Sequence, residues 1–419
     1  MQKNKVLFQI SNYLLVILLV LNHSVYYYMN PTKNILQIGI IIATFVALIC
    51  MPNYRIQRSY IYRAIVVLIV ALLLLASGWV GQDKLSFIVR YVYFIPLMIL
   101  IFASCKENEK YVFFYHLSDI ISLLAVFSLV LWFMGSILHI IPATGIVKPE
   151  WGKVDLGNGE YGAINYLYLY FDIQVSPTSI PNNIIPYRNC GIFCEGPAYA
   201  FILSIALITE LFLRENKKNR VILLICTLIS TMTTSSMMYL ALFGVLRWFI
   251  SKRYFNRRKK ICIIPGAIFI FIIFIMILLK YKSNTNSVEI RLNDYINGFR
   301  TFVTSPLIGY GYSFEAFSVG AGITNSLSDT LVRGGCVYTL YYLGPVLGNL
   351  LQSLKMMIKK GNRVECVYDK ECVLMVWILC AYCTTILTYT FILLTLITYA
   401  YIGVERQLYN ENSDKTYII

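Results

Sequence analysis

An arginine and a glutamate stand seven residues apart in RNCGIFCEGPAYA, residues 188–200, with Gly191, Gly196 and Pro197 around them. Pro197 suits the first turn of a helix, and Glu195 or Gly196 its cap. The helix dipole then favours an ionised Glu195, while partial burial raises its pKa. A carboxylate held in such a site can accept a proton from a hydroxyl. Equally, Glu195 can cap the helix and pair with Arg188 as a purely structural ion pair.

Further along, NSVEIRLNDYINGFRTFVTSPLIGYGYSFEAF, residues 286–317, carries Arg291 and Arg300. Their planar forks suit phosphate, and they suit anionic lipid headgroups equally well. Arg333 stands beside Gly334 and Gly335, and Arg90 lies within an apolar run. An arginine at membrane depth is a functional candidate by default. The tyrosines of residues 161–187, among them Tyr187, can stack on sugar rings or form an aromatic belt at a membrane surface. The chain has no GxxxxGK[ST], no paired Asp of the DxD type, no G-x-S-x-G and no H-E-x-x-H. His23, His116 and His139 are isolated by spacing, so acid–base chemistry falls to carboxylates.

The elements that must position these residues follow from composition. Of 419 residues, 58% are hydrophobic and only 14% charged, and mean hydropathy is +0.66. That balance excludes a soluble globular fold, and apolar stretches of roughly 20 residues recur throughout. The reading is an all-α polytopic integral membrane protein with about twelve transmembrane helices, ten to thirteen being compatible with the pattern. The spans fall at 6–27, 35–51, 62–80, 85–104, 117–140, 197–213, 221–234, 235–250, 261–280, 331–354, 372–387 and 388–404. Val6–Leu21 follows Lys3 and Lys5 with no small-residue cleavage site behind it, so it reads as a retained span. The net charge of +15 marks cytoplasmic loops rather than nucleic-acid binding. RENKKNR (214–220) and SKRYFNRRKK (251–260) are both basic and belong on the cytoplasmic side, so the apolar stretch between them crosses twice. Both termini are then cytoplasmic.

Residues 1–140 hold helices one to five, and 141–196 form a first large external loop. Residues 197–280 hold helices six to nine, 281–330 form a second external loop, and 331–419 hold the last helices and a cytoplasmic tail. The run YLYLYFDIQV in the first loop alternates as a short strand or interfacial hairpin does. In the second loop, Asn286 and Glu289 make a capping box. Leu292, Tyr295, Phe299 and Phe302 share one helix face, with Arg291 and Asp294 on another. Ser305–Pro306 ends this amphipathic helix, which lies on the outer surface of the bundle, and Gly309 and Gly311 mark a turn. The eleven cysteines are scattered; only Cys190 and Cys194 are near enough to bridge, and no further Cys or His clusters there to complete a zinc site.

Four stretches resemble elements of Wzy-type polymerases, which build O-antigen and capsular polysaccharides. RNCGIFCEGPAYA resembles the family's R-x-x-G-x-F-x-E-P element, departing from it where Gly196 separates Glu195 from Pro197. STMTTSSMMYLALFG (230–244) is similar to its Thr/Ser-rich turn between two spans. IRLNDYINGFRTFVTSPLIGYGYSF (290–314) is similar to its arginine and P-L-x-G-x-G element, and TNSLSDTLVRGG (324–335) to the Asn-Ser stretch that follows. The resemblance covers the order of elements over about 188–345. It implies a metal-independent, GT-C-like glycosyltransferase without cofactor in the bacterial cytoplasmic (inner) membrane, its active site facing the periplasm or exterior. The substrate would be an undecaprenyl-diphosphate-linked oligosaccharide. The growing chain passes from its lipid diphosphate to the next unit, releasing polyprenyl diphosphate.

By the same resemblance Glu195 is the catalytic residue, as base or acceptor-binding group. Arg188, Arg291, Arg300 and Arg333 bind diphosphate, and Tyr187 and Asn325 bind glycan. No metal ligand is expected. Membrane lipid, a chain-length regulator and a flippase are the implied partners, and nucleic acid is not one. Two alternatives stay open. An O-antigen ligase leans on a histidine in the second outer segment, and residues 281–330 contain none. A lipid-linked oligosaccharide flippase or other transporter would show an internal repeat and mid-span charges, and no repeat is evident.

Overall fold

The computed structural model describes residues 2–29, 32–51, 56, 58–105, 109, 111–150, 154–155, 161–175, 187–214, 218–251, 286–314, 325–360, 365–385, 387–388 and 390–416. The span expected at 261–280, Trp151, and Pro177, Pro181 and Pro186 lie outside them, as do the side chains of Asn286, Glu289 and Arg291. The chain forms two compact units, Met1–Pro52 with Lys106–Phe243, and Asn53–Cys105 with Gly244–Ile419.

The fold is mostly helical. In the first unit, α1 (Gln2–Asn22) and α2 (Thr32–Ile49) flank a 3-10 turn at Val25–Tyr28. This corrects the span expected at 6–27. Ser24 stops the helix: its hydroxyl donates to Leu21 O (2.6 Å) and accepts from Tyr26 N (3.3 Å). In the second unit, α3 (Arg58–Ala76) precedes α4 (Lys84–Ser104). Back in the first unit come α5 (Val112–Ile137) and α6 (Gly196–Leu213). Then α7 (Lys218–Ser230) and α8 (Thr234–Ser251) are joined by the turn Thr231–Thr233. The second unit is completed by α9 (Asn286–Thr304), α10 (Ser326–Lys360), α11 (Glu365–Thr384) and α12 (Phe391–Thr416). Among the described residues, α2, α4, α5 and α6 are long and apolar enough to cross a membrane; Val6–Asn22, Tyr60–Ala76 and Phe391–Gly403 are shorter apolar helices.

The all-α expectation needs one correction. Residues 145–172 hold a four-stranded antiparallel sheet of β1 (Gly145–Val147), β2 (Val154–Asp155), β3 (Tyr161–Tyr166) and β4 (Tyr170–Asp172). Strand β3 is central: Ile146 pairs with Ile164, Val154 with Gly162 and Asn165 with Phe171. The YLYLYFDIQV run lies on the β3–β4 hairpin: Leu167–Leu169 make the turn between the strands, and Tyr170–Asp172 form the buried strand β4. Leu131, Tyr166 and Tyr170 form its core against the end of α5.

Charge closes the other end of the first unit. Arg214 grips Asp119 with both arms of its fork (2.6 and 3.0 Å) and also meets Glu210 at 3.0 Å. Arg220 pairs with Asp119 too, and Ser118 Oγ donates to Glu210 at 2.7 Å. Two arginines of the basic RENKKNR stretch therefore neutralise carboxylates carried by apolar helices. Bidentate geometry is what makes such a pair tolerable out of water.

Helix α9 is amphipathic, as its pattern predicts, but its apolar face points outward. Leu292, Tyr295, Ile296, Phe299 and Val303 are exposed, whereas Asp294 is buried. The cause is close packing on α10. A Cβ at Gly298 would lie 2.9 Å from Ser328 Cβ, so only a glycine edge admits this approach.

Candidate functional site

The residues singled out by sequence fall in both units. In the first, the segment from Tyr187 to Gly196 is held between the β-hairpin and the Thr231–Thr233 turn. Tyr187 bridges to Val175, and its carbonyl accepts from Trp132 Nε1 at 2.9 Å. Gln174 grips both ends of the Arg188–Gly196 loop. Its main-chain oxygen accepts from Arg188 N at 3.0 Å and its side-chain Oε1 from Gly196 N at 2.9 Å. One residue therefore closes the loop that carries the arginine and the glutamate.

Asn189 fixes the middle. It is fully buried, donates through Nδ2 to Ser230 Oγ (2.9 Å) and accepts on Oδ1 from Gly191 N (3.1 Å). Its own amide donates to Ser230 O at 3.1 Å, and Phe171 N donates to Gly191 O at 3.0 Å. Gly191 sits at φ +56°, and a Cβ there would meet the Tyr199 ring at 2.9 Å. Tyr199 stacks on Phe193 (5.1 Å between centroids) and its hydroxyl meets Ser128 Oγ at 2.7 Å.

Glu195 is the N-cap of α6 in an extended conformation (φ −157°), with Pro197 in the first turn. Its side chain makes no capping hydrogen bond. At this helix start Gly196 N donates instead to Gln174 Oε1. Burial pushes the Arg188 guanidinium pKa down; the Cys190 sulfur and the Glu195 carboxylate oppose it. Arg188 Nε is buried with no hydrogen-bond partner. Cys190 and Cys194 are free, buried thiols, pushed up in pKa by burial.

Sequence reasoning missed Asp172 beside this loop. It is fully buried, and Oδ1 accepts from Ser136 Oγ (2.6 Å) and from the Tyr170 hydroxyl. Oδ2 is buried without a partner. Desolvation raises its pKa, although the hydrogen bonds from Ser136, Tyr170 and Tyr166 oppose the rise. Burial also raises the Tyr187 phenol, and the Asp172 carboxylate adds to that. The available signal was a lone Asp at an apolar position of a strand.

In the second unit, the loop after α9 pairs by backbone with a break in α10. Gly335 leaves the helical region there (φ 57°, ψ −153°). Tyr310 N donates to Val332 O (3.0 Å), Gly311 N to Arg333 O (2.8 Å) and Cys336 N to Pro306 O (2.8 Å). Gly309 and Gly311 both have positive φ, as their turn requires. Arg333 is engaged inside this arrangement. Its Nε donates to Asp329 Oδ1 at 2.7 Å and its Nη1 to Tyr312 O at 2.6 Å. Asp329 also accepts from the Thr388 hydroxyl. Arg90 Nη1 donates to the Tyr312 hydroxyl at 2.8 Å. Asn325 caps α10, its Oδ1 accepting from Ser328 N at 2.8 Å, and its Nδ2 is buried without a partner.

Arg300 is exposed on α9. Arg291 lies on the same helix nine residues earlier, and at about 100° per residue the two positions fall on opposite faces. The helix alone does not converge them. Among the described residues, no three His, Cys, Asp or Glu side chains stand close enough to hold a metal ion. No protein-family model matches the chain, and no curated protein or solved structure matches it either.

Proposed function

We propose that the chain is a polytopic glycosyltransferase that polymerises oligosaccharide repeat units carried on undecaprenyl diphosphate, at the outer face of the bacterial cytoplasmic membrane. In this reading the chain crosses about twelve times with both termini in the cytoplasm. The observation that carries it is the Gln174 clamp. It closes one loop that holds a half-buried arginine and, at the head of an apolar helix, a glutamate whose charge bears on that arginine.

The chemistry needs those two groups. An acceptor hydroxyl oxygen attacks the anomeric carbon of the donor. The bond from that carbon to the diphosphate oxygen breaks, and the leaving diphosphate keeps the electron pair. Glu195 takes the hydroxyl proton. A guanidinium stabilises the charge that develops on the diphosphate, and its fork matches phosphate oxygens. Arg188 is assigned that part. Arg291, Arg300 and Arg333, all of the other unit, are assigned to diphosphate on the resemblance alone, as are Tyr187 and Asn325 to glycan.

The test is a glycan ladder from cells lacking the protein, complemented with wild type, Glu195→Gln or Arg188→Ala at matched membrane levels. Wild type should restore a ladder, and both variants should leave single repeat units. Long chains that persist in the null strain yet fail to reach their final acceptor would instead indicate a ligase or a flippase and overturn the reading.

A further inference from the structure

The tip of the β3–β4 hairpin is built in a way that its own sequence disfavours. Leu167 (φ 53°) and Tyr168 (φ 59°) are consecutive bulky residues with positive φ. Leu169 N donates to Tyr166 O at 3.1 Å, so these two are the central residues of a tight turn. Turns with two positive φ angles are usually made by Asn-Gly or Gly-Gly. Bulky residues are disfavoured in this region because their Cβ crowds the following carbonyl oxygen.

Three side chains compel the conformation. Thr144 Oγ1 accepts from Leu167 N at 2.9 Å, Asn165 Oδ1 accepts from Tyr168 N at 2.8 Å, and the Tyr26 hydroxyl donates to Tyr168 O. Strain that the surroundings over-determine marks a functional segment. What the strained turn achieves is display: Leu167 is 57% and Tyr168 53% exposed.

Placement shows what they are displayed to. The tip is bonded to Tyr26, four residues beyond the end of α1, and to Thr144, seven residues beyond the end of α5. Both anchors lie where helices emerge. Along α5, Leu123, Val126, Phe127, Val130 and Phe133 form one exposed apolar stripe at helical spacing. Beyond the helix the exposed residues Leu138, Ile140 and Ile146 continue it toward Leu167 and Tyr168. Residues 138–146 include no lysine, arginine or carboxylate. Aliphatic side chains offer a sugar no hydrogen bond, and the stripe they extend is of the kind lipid covers.

We propose that Leu167 and Tyr168 form a wedge that inserts into the outer-leaflet interface, with the Tyr168 hydroxyl at headgroup level. The partner is the bilayer itself; the inference rests on α5 crossing it, and the outer leaflet on the orientation of the proposed function. Tyr168 has the build of an interfacial anchor, with an apolar ring and a polar end. The wedge sets a height. Gln174, two residues beyond β4, holds both ends of the Arg188–Gly196 loop, so the depth of the hairpin fixes how far that loop stands above the lipid.

A photoreactive benzoylphenylalanine at position 167 or 168 tests this in the full-length protein, reconstituted in vesicles of phosphatidylethanolamine and phosphatidylglycerol. Position 126 on the α5 stripe and exposed Asp155 on β2 serve as references. Thermal melting confirms that each variant folds. Irradiation should attach lipid at 167 and 168 several-fold more than at 155 and near the yield at 126. Lipid attachment no greater than at 155 overturns the wedge, and so does a covalent dimer of the chain or a glycan adduct as the main product. None of these outcomes depends on whether the chain polymerises glycan.

Discussion

Gly196 is where the chain departs from the motif it resembles, and the structure gives a steric reason. A Cβ at this position would lie 2.6 Å from Thr233 Cγ2 and 3.2 Å from Thr231 O. Carbon atoms pack at about 3.5–4.0 Å, so Gly196→Ala must find roughly 1 Å of room. Little is available. Thr233 is buried and its hydroxyl oxygen accepts from Ser236 N at 3.1 Å, which fixes its rotamer. The second obstacle is main chain. Overpacking of this kind costs about 1–3 kcal/mol. If α6 retreats instead, the bond from Gly196 N to Gln174 Oε1 is lost, worth about 1 kcal/mol. Either route puts Gly196→Ala near 2 kcal/mol, and the second also opens the loop that joins Arg188 to Glu195.

Thr233→Ser removes the offending methyl and keeps the hydroxyl. Melting of wild type, both single variants and the double variant in lipid nanodiscs closes a thermodynamic cycle. The double variant should recover about half or more of the loss, because the 3.2 Å contact with Thr231 O remains. The glycan ladder should shorten in Gly196→Ala and lengthen again in the double variant. An additive cycle, or a Gly196→Ala protein that melts with wild type, refutes the steric reasoning.

Two further outcomes follow from the buried charges. Asp172 has its pKa raised in the fold, so the native state holds its proton more tightly than the unfolded chain does. Stability from this group is full below the ordinary carboxylate pKa near 4 and declines as pH rises through the raised value. Asp172→Asn should therefore gain on wild type as melting is followed upward from about pH 4; a difference that stays flat or shrinks contradicts it. Arg333→Met leaves Asp329 buried and unpaired and should cost about 3–5 kcal/mol, whereas Arg333→Met with Asp329→Leu should restore most of that. A restored double variant that still makes no polymer assigns Arg333 to chemistry, and one that polymerises assigns it to structure.

Breaks in the chain were the most legible features. Two basic flanks required the turn at Thr231–Thr233, Pro197 opened α6, and Ser305–Pro306 ended α9. Each is a local effect written in adjacent residues. The Gln174 clamp was not legible, because it joins residues 14 and 22 positions apart through a loop whose closure has no local signature. Nor was the outward face of α9: periodicity identifies an apolar stripe but not whether lipid or protein covers it. Two signals were present and passed over. Asp329 lies four residues before Arg333, the spacing of a helical ion pair. Asn325 precedes Ser326 as an N-cap does. Arg333 and Asn325 both have structural partners.

Three polar groups of the apolar helices share a feature that composition hides. Arg90, Ser136 and Glu210 each lie in a π turn, at Ile88–Phe94, Trp132–Ile137 and Thr209–Leu213 respectively. A π turn inserts one residue, which rotates everything beyond it by about 100° around the axis. At each one the polar side chain meets a partner on another element: Arg90 reaches Tyr312, Ser136 reaches Asp172, and Glu210 meets Ser118 and Arg214. A polar group without a partner is expensive in lipid, so the register of a helix in lipid is constrained by its buried polar residues as well as by its apolar face. Regular α geometry satisfies both only by coincidence. An inserted residue lets the apolar face keep its register on one side of the bulge while the polar group finds its partner. The break in α10 at Gly335 acts comparably, since it frees the backbone that pairs with residues 306–311 just where Arg333 joins Asp329 to Tyr312.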